Sequence, residues 1–167
     1  MRRPGRGRSG RSGHSGTRGN AVDVLEELTE FEDQIDRAHI ERRIEDWKQR
    51  IDALYANVVR WLPAGWSAVP CGDVVLHDEL MQRFGVPDQS LPVLRIERSG
   101  APRGRFEPRG LWIIGANGRI DLVLPPQHFI IIDRAQNFEA SQWTMTSLRN
   151  RLDEPPFTAE SLKASLG

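Results

Sequence analysis

Residues 110–133 read Gly-Leu-Trp-Ile-Ile-Gly-Ala-Asn-Gly-Arg-Ile-Asp-Leu-Val-Leu-Pro-Pro-Gln-His-Phe-Ile-Ile-Ile-Asp, the pattern of two β-hairpins sharing a central strand. Asn117-Gly118 is the dipeptide preferred by a two-residue type I′ turn, because both central positions need positive φ. That turn would set Ala116 opposite Arg119, Ile114 opposite Asp121 and Ile113 opposite Leu122. One face of the pair then carries Leu111, Ile113, Ile120, Leu122 and Leu124, an apolar set that needs a cover. The other carries Trp112, Ile114, Arg119, Asp121 and Val123. The sheet is specified by this alternation; no chemistry is.

The cover is expected upstream. Between Ala21 and Leu62 apolar residues recur at helical spacing: Val22, Leu25, Leu28, Phe31 and Ile35, then Ile40, Ile44, Trp47, Ile51, Leu54, Val58 and Trp61. The stripe falters at 36–39, which predicts a long helix with a change of face or two helices meeting there, and Pro63 with Gly65 ends it. Extra apolar residues at Tyr55, Val59 and Leu62 broaden the stripe, as expected for a helix packing on a sheet. The alternative is a homodimer seam formed by Ile40, Ile44, Trp47, Ile51, Leu54, Val58 and Trp61. The five tryptophans, including Trp66 and Trp143, are expected mainly in the core.

Residues 67–90 read as irregular, with a short strand at Asp73–Leu76 and a short helix from Asp78 to Phe84. Leu91–Glu97 reads as a strand and 100–104 as a loop; Trp143, Met145 and Leu148 suit a further strand or a helical turn. Thr158 is placed to cap a last helix with Leu162 and Leu166 on one side. The reading is therefore α+β: a single domain over 21–167, with 21–62 helical, 91–133 an antiparallel sheet of about four strands, and 134–167 a C-terminal segment with a short helix.

Charge divides the chain unevenly. Residues 1–20 contain six arginines and no acid, while the rest holds 17 basic against 23 acidic residues. The Arg/Gly/Ser-rich tail has too few apolar side chains to order itself, so it is expected to be disordered. It is either a passive extension or an arm making weak, nonspecific phosphate contacts with nucleic acid. An acidic remainder is no electrostatic footprint for nucleic acid, although it can hide a local basic patch. One cysteine, Cys71, and no Cys/His cluster suggest neither a disulfide framework nor structural zinc, and the cytoplasm is the simplest address.

Gly118-Arg119-Ile120-Asp121-Leu122, followed by Ile130-Ile131-Ile132-Asp133-Arg134-Ala135, is the one constellation with catalytic overtones. It resembles the strand pair of the PD-(D/E)xK nucleases, in which acids on adjacent strands hold a divalent metal that activates water. The resemblance implies Asp121 and Asp133 as the catalytic carboxylates; Ala135 stands where that family has lysine. Both acids must share a sheet face, which a three-residue connection at Pro125–Gln127 would provide and a two-residue connection would not. His77, Asp78 and Glu79 are consecutive and so diverge. His39 and His128 have no nearby Ser or Cys to act as nucleophile. No cofactor or resident metal is implied. The sequence is therefore expected to encode a non-enzymatic accessory or regulatory protein, with Trp112, Ile114, Arg119 and Val123 as the partner-binding patch. The nuclease, or an inactive descendant, and a tail-dependent nucleic-acid binder are the alternatives.

Overall fold

A computed structural model of the chain describes residues 35–113, 115–149 and 153–167. The tail at 1–20, the expected helical segment 21–34 and Ile114 lie outside the described residues. All the described helices and strands belong to one compact unit, Asp36–Gly167.

Helix α1, Arg37–Trp61, starts where the sequence stripe falters: Asp36 is its N-cap, accepting a 2.6 Å hydrogen bond from the His39 amide. The cap satisfies one of the amides that the first turn leaves open. Strands β1 (Trp66–Leu76), β2 (Gln89–Arg98), β3 (Ala101–Gly110), β4 (Gly118–Leu124), β5 (Gln127–Asp133) and β6 (Trp143–Ser147) form one antiparallel sheet, each beside its sequence neighbours. A short helix α2 (Glu79–Arg83) follows β1, and α3 (Ala159–Leu166) ends the unit. Thr158 caps α3 reciprocally with Ser161.

The fold class is as expected, but the sheet has six strands rather than about four. Strand β1 runs through the stretch expected to be irregular, because a register shift between Pro70 and Asp73 breaks its period-2 pattern. Strand β3 was hidden by Pro102, Gly104, Pro108 and Gly110. Pro108 is tolerated by ladder geometry: the β2–β3 pairing runs from Arg98↔Ala101 to Leu94↔Phe106 and stops before Pro92. Pro108 lies beyond that point and has no β2 residue to which it must donate. Tyr55 of α1 fills the break, its hydroxyl donating to the Pro92 carbonyl at 2.9 Å with the Phe106 carbonyl 3.3 Å away. Burial is the main cause that holds this phenol well above its ordinary pKa.

Asn117-Gly118 is not a two-residue hairpin turn. Strand β3 ends at Gly110, which pairs with Arg119, and Phe106 rather than Ile113 faces Leu122. Residues 111–117 form a longer connection with one bridge, Ile113↔Ala116. Gly118 has a packing role instead: a Cβ there would lie 2.3 Å from the Trp47 ring. Asn117 is buried, its amide donating to the Asp133 carbonyl at 2.7 Å.

The inner face of the sheet carries rows such as Leu94–Phe106–Leu122–Phe129 and Pro108–Ile120–Ile131–Met145. Helix α1 lies against it: Trp47 meets Trp143 and Tyr55 meets Phe106. Phe157 extends the cluster to Trp61 and Phe106. This packing occupies the residues of the alternative homodimer seam. Ile40, Ile44, Trp47, Ile51, Leu54 and Val58 are buried within the unit itself, and Trp61 packs on Phe157. A second copy would have to displace the chain's own sheet. Among the described residues, no helix is long and apolar enough to cross a membrane.

Candidate functional site: the charged outer face of the sheet

Asp121 and Asp133 are separated by their register. Leu124 pairs with Gln127 across the two-residue Pro125-Pro126 connection, so Asp121 falls opposite Ile130 and Asp133 opposite Gly118. Side chains alternate faces with period 2, and the two acids therefore project from opposite sides of the sheet. One cation cannot bridge them.

Asp133 points inward and is fully enclosed. Its Oδ2 accepts from Arg50 Nη1 of α1 at 2.7 Å, and its Oδ1 accepts from the Gln142 and Ala135 amides at 2.7 and 3.1 Å. Arg50 also donates to Asp46 (2.7 Å), Ser141 (3.1 Å) and the Glu139 carbonyl (2.6 Å). Burial would lower the guanidinium pKa, but the hydrogen bonds it donates to Asp46 and Asp133 raise it above its ordinary value. Every donor that reaches Asp133 is structural, and the cluster ties α1 to the end of β5.

Asp121 points outward into a different environment. Its carboxylate accepts from Arg119 Nε at 2.7 Å, Arg109 Nε at 3.1 Å and His128 Nε2 at 2.9 Å. Burial acts to raise its pKa; the bonds and charges of Arg119, then of His128, outweigh this and hold it below the ordinary carboxyl range. Around it the cross-strand register lays out a charged face. Val69, Arg95, Arg105, Val123 and His128 form one row, and Glu107, Asp121, Ile130 and Thr146 the next. Glu107 accepts from Arg105 Nε at 2.8 Å and pairs with Arg109 at 2.8 Å, while Arg95 Nε donates to Glu97 at 2.9 Å.

From β2 to β4 there are six arginines and three acids, although Asp36–Gly167 as a whole holds 17 of each sign. The described helices gather on the other side: α3 contacts α1, and the residues after α2 line a cleft with it. The outer face thus presents guanidinium groups held upright by carboxylates. Such an array can attract an anionic surface and bond it bidentately.

Of the expected partner-binding residues, Arg119 and Val123 lie on this face, Arg119 tied to Asp121 and Val123 half-buried between Arg105 and His128. Trp112 is half-buried in the 111–117 connection, outside the β3–β4 ladder. Arg95, Arg105, Glu107 and Arg109 escaped the sequence reading. Their signal was the alternation Arg105-Phe-Glu107-Pro-Arg109, charged at every second residue with apolar residues between.

The remaining polar candidates have local partners. Asp78 caps α2 through the Leu80 amide (2.9 Å), whereas His77 turns to Asp88 (2.7 Å). His39 stands edge-on to Phe138, and burial, then Arg42 and Arg43, lowers its pKa. Among the described residues, no group of three or more His, Cys, Asp and Glu could hold a metal ion. No protein-family description, curated protein or solved structure matches the chain, so its chemistry is read from this face alone.

Proposed function

We propose that this chain is a non-enzymatic accessory or regulatory protein that binds another protein through the outer face of its sheet. One observation carries the reading: on the face opposite the helices, Arg95, Arg105, Arg109 and Arg119 stand among Glu97, Glu107 and Asp121, within a β2–β4 segment of six arginines and three acids. Interfaces favour arginine because its planar fork bonds carboxylates bidentately while its stem packs against apolar neighbours. Complementary charge then speeds encounter and fixes register. In this reading the patch expected at Trp112, Ile114, Arg119 and Val123 is recentred on a charged face that keeps Arg119 and Val123.

Affinity capture from native extract, followed by protein identification, tests this when wild type is compared with Arg95→Glu/Arg105→Glu/Arg119→Glu. The expected result is a protein retained by wild type, released by salt and lost with the charge-reversed face. Equal retention by both proteins overturns the reading. So does retention that disappears on nuclease treatment, or metal-dependent cleavage of DNA or RNA by the purified chain.

A further inference from the structure

Two clefts meet at the end of the sheet where β2 turns into β3. The first, of about 250 Å³, opens on the outer face between Arg95, Arg103, Arg105 and Val123. The second, of about 240 Å³, lies around the sheet end among Trp66, Arg98, Arg103, Leu124, Pro126 and Leu166. Arg103 and Pro125 belong to both, and no Asp or Glu lines either. Four arginines therefore surround a space with no carboxylate of its own.

The local backbone is arranged around this surplus. Arg95 stands directly opposite Arg105 in the β2–β3 ladder, a like-charge pairing that costs stability. Each is restrained only by a glutamate two residues along its own strand. Arg103 sits where the register shifts between Ile96 and Glu97; it is exposed and has no ion-pair partner among the described residues. Gly104 lines the outer cleft, and a Cβ there would lie 2.3 Å from the Val123 carbonyl oxygen and 2.6 Å from Leu124 Cδ2, so β3 approaches β4 too closely for a side chain at this position. Arg98 lies over the Trp66 ring, 5.7 Å from its centroid.

We infer that these joined clefts receive a short acidic peptide segment of the partner, carboxylates against Arg95, Arg103 and Arg105 and an adjoining aliphatic side chain against Leu124, Pro126 and Leu166. The inference rests on the protein-binding reading and names the partner's chemistry. Carboxylates fit the guanidinium fork. A polynucleotide fits less well: single-strand binders offer rings on which bases stack, and the one ring at these clefts, Trp66, is already covered by Arg98. Farther along the same face, Glu107 and Asp121 would repel a continuing phosphate chain.

An amide-resolved NMR titration of the Asp36–Gly167 signals in the full chain tests it, using acetyl-Glu-Glu-Leu-Glu-Glu-amide as probe and an oligothymidylate of equal charge in parallel. Peptide shifts should concentrate at the amides of residues 103–105, Leu124 and Gln127. Affinity should fall about tenfold or more in Arg103→Glu, as expected for losing a charged bidentate contact, and by far less in Arg109→Glu on the same face. Arg103→Ala serves as the milder variant, and unchanged spectra of the free variants confirm folding. Shifts that are absent or scattered, or equal losses in Arg103→Glu and Arg109→Glu, overturn the cleft. Tighter binding of the oligothymidylate overturns the choice of peptide. A captured partner that Arg103→Glu still retains refutes this site alone, whereas retention by the charge-reversed face refutes the protein-binding reading too.

Discussion

Asp121 and Asp133 sit one strand apart and both bond arginine, yet one is built into the molecule and the other faces away from the helix. The Asp133 side chain is 0 % exposed and its partner Arg50 5 %, and backbone amides complete the carboxylate's shell. Asp121 is as deep, at 3 %, but its partners Arg109, Arg119 and His128 remain 44, 34 and 31 % exposed. Burial of the acid alone does not tell a structural cluster from a surface one. Where the cations end is the distinguishing feature: inside the fold, or in solvent where a ligand can reach them.

The contrast predicts unequal losses. Asp133→Ala should be the most damaging, at about 3–5 kcal/mol by chemical denaturation, because it removes the fully enclosed carboxylate of the Arg50 cluster and leaves the Gln142 and Ala135 amides without their acceptor. Adding Arg50→Met should recover a large share; no recovery would show that the cluster does more than neutralise charge. Gly118→Ala, at the position opposite Asp133, forces a Cβ onto Trp47 and should cost about 1–3 kcal/mol. A neutral result would mean that α1 can shift along the sheet. Asp121→Asn should cost least, about 1 kcal/mol, because half-exposed arginines regain water.

The acid limb sharpens this last prediction. Because Asp121 is held below its ordinary carboxyl pKa of 3.8, its contribution is complete above that value and is lost as the pH falls through the lowered one. Asp121→Asn should therefore flatten stability against pH only in that acid range. An effect near neutrality would contradict the assignment.

How much of this was legible depends on which constraint each residue served. Ile120, Leu122 and Leu124 alternate cleanly because β4 lies between paired strands with one face on the core, and the strand reads directly from them. The α1 stripe is legible for the same reason. Asn117-Gly118 misled because glycine answers two demands, positive φ or close approach, and here the Trp47 ring sets the demand. Strand β1 was obscured by the register shift between Pro70 and Asp73, and β3 by its prolines and glycines. The outer face was least legible, since salt-bridged charges on a strand resemble loop polarity until the register aligns them. The opposed faces of Asp121 and Asp133 turned on a single residue of connection length at Pro125-Pro126.

The two margins of the sheet have unequal prospects. Beyond β6, the segment Pro155–Phe157 closes the ladder: the Met145 amide donates to the Pro155 carbonyl at 2.9 Å and the Phe157 amide to the Trp143 carbonyl at 2.8 Å. Its own far side offers few donors, since Pro155 and Pro156 have no N–H. At the other margin, β1 has no further strand among the described residues. Among the described residues, sheet growth between molecules therefore has one port and one dead end: two copies joined margin to margin through β1 would present only the proline-bearing return at each end. Among the described residues, that short proline-bearing return leaves the sheet without the two complementary open ends on every copy that filament formation needs.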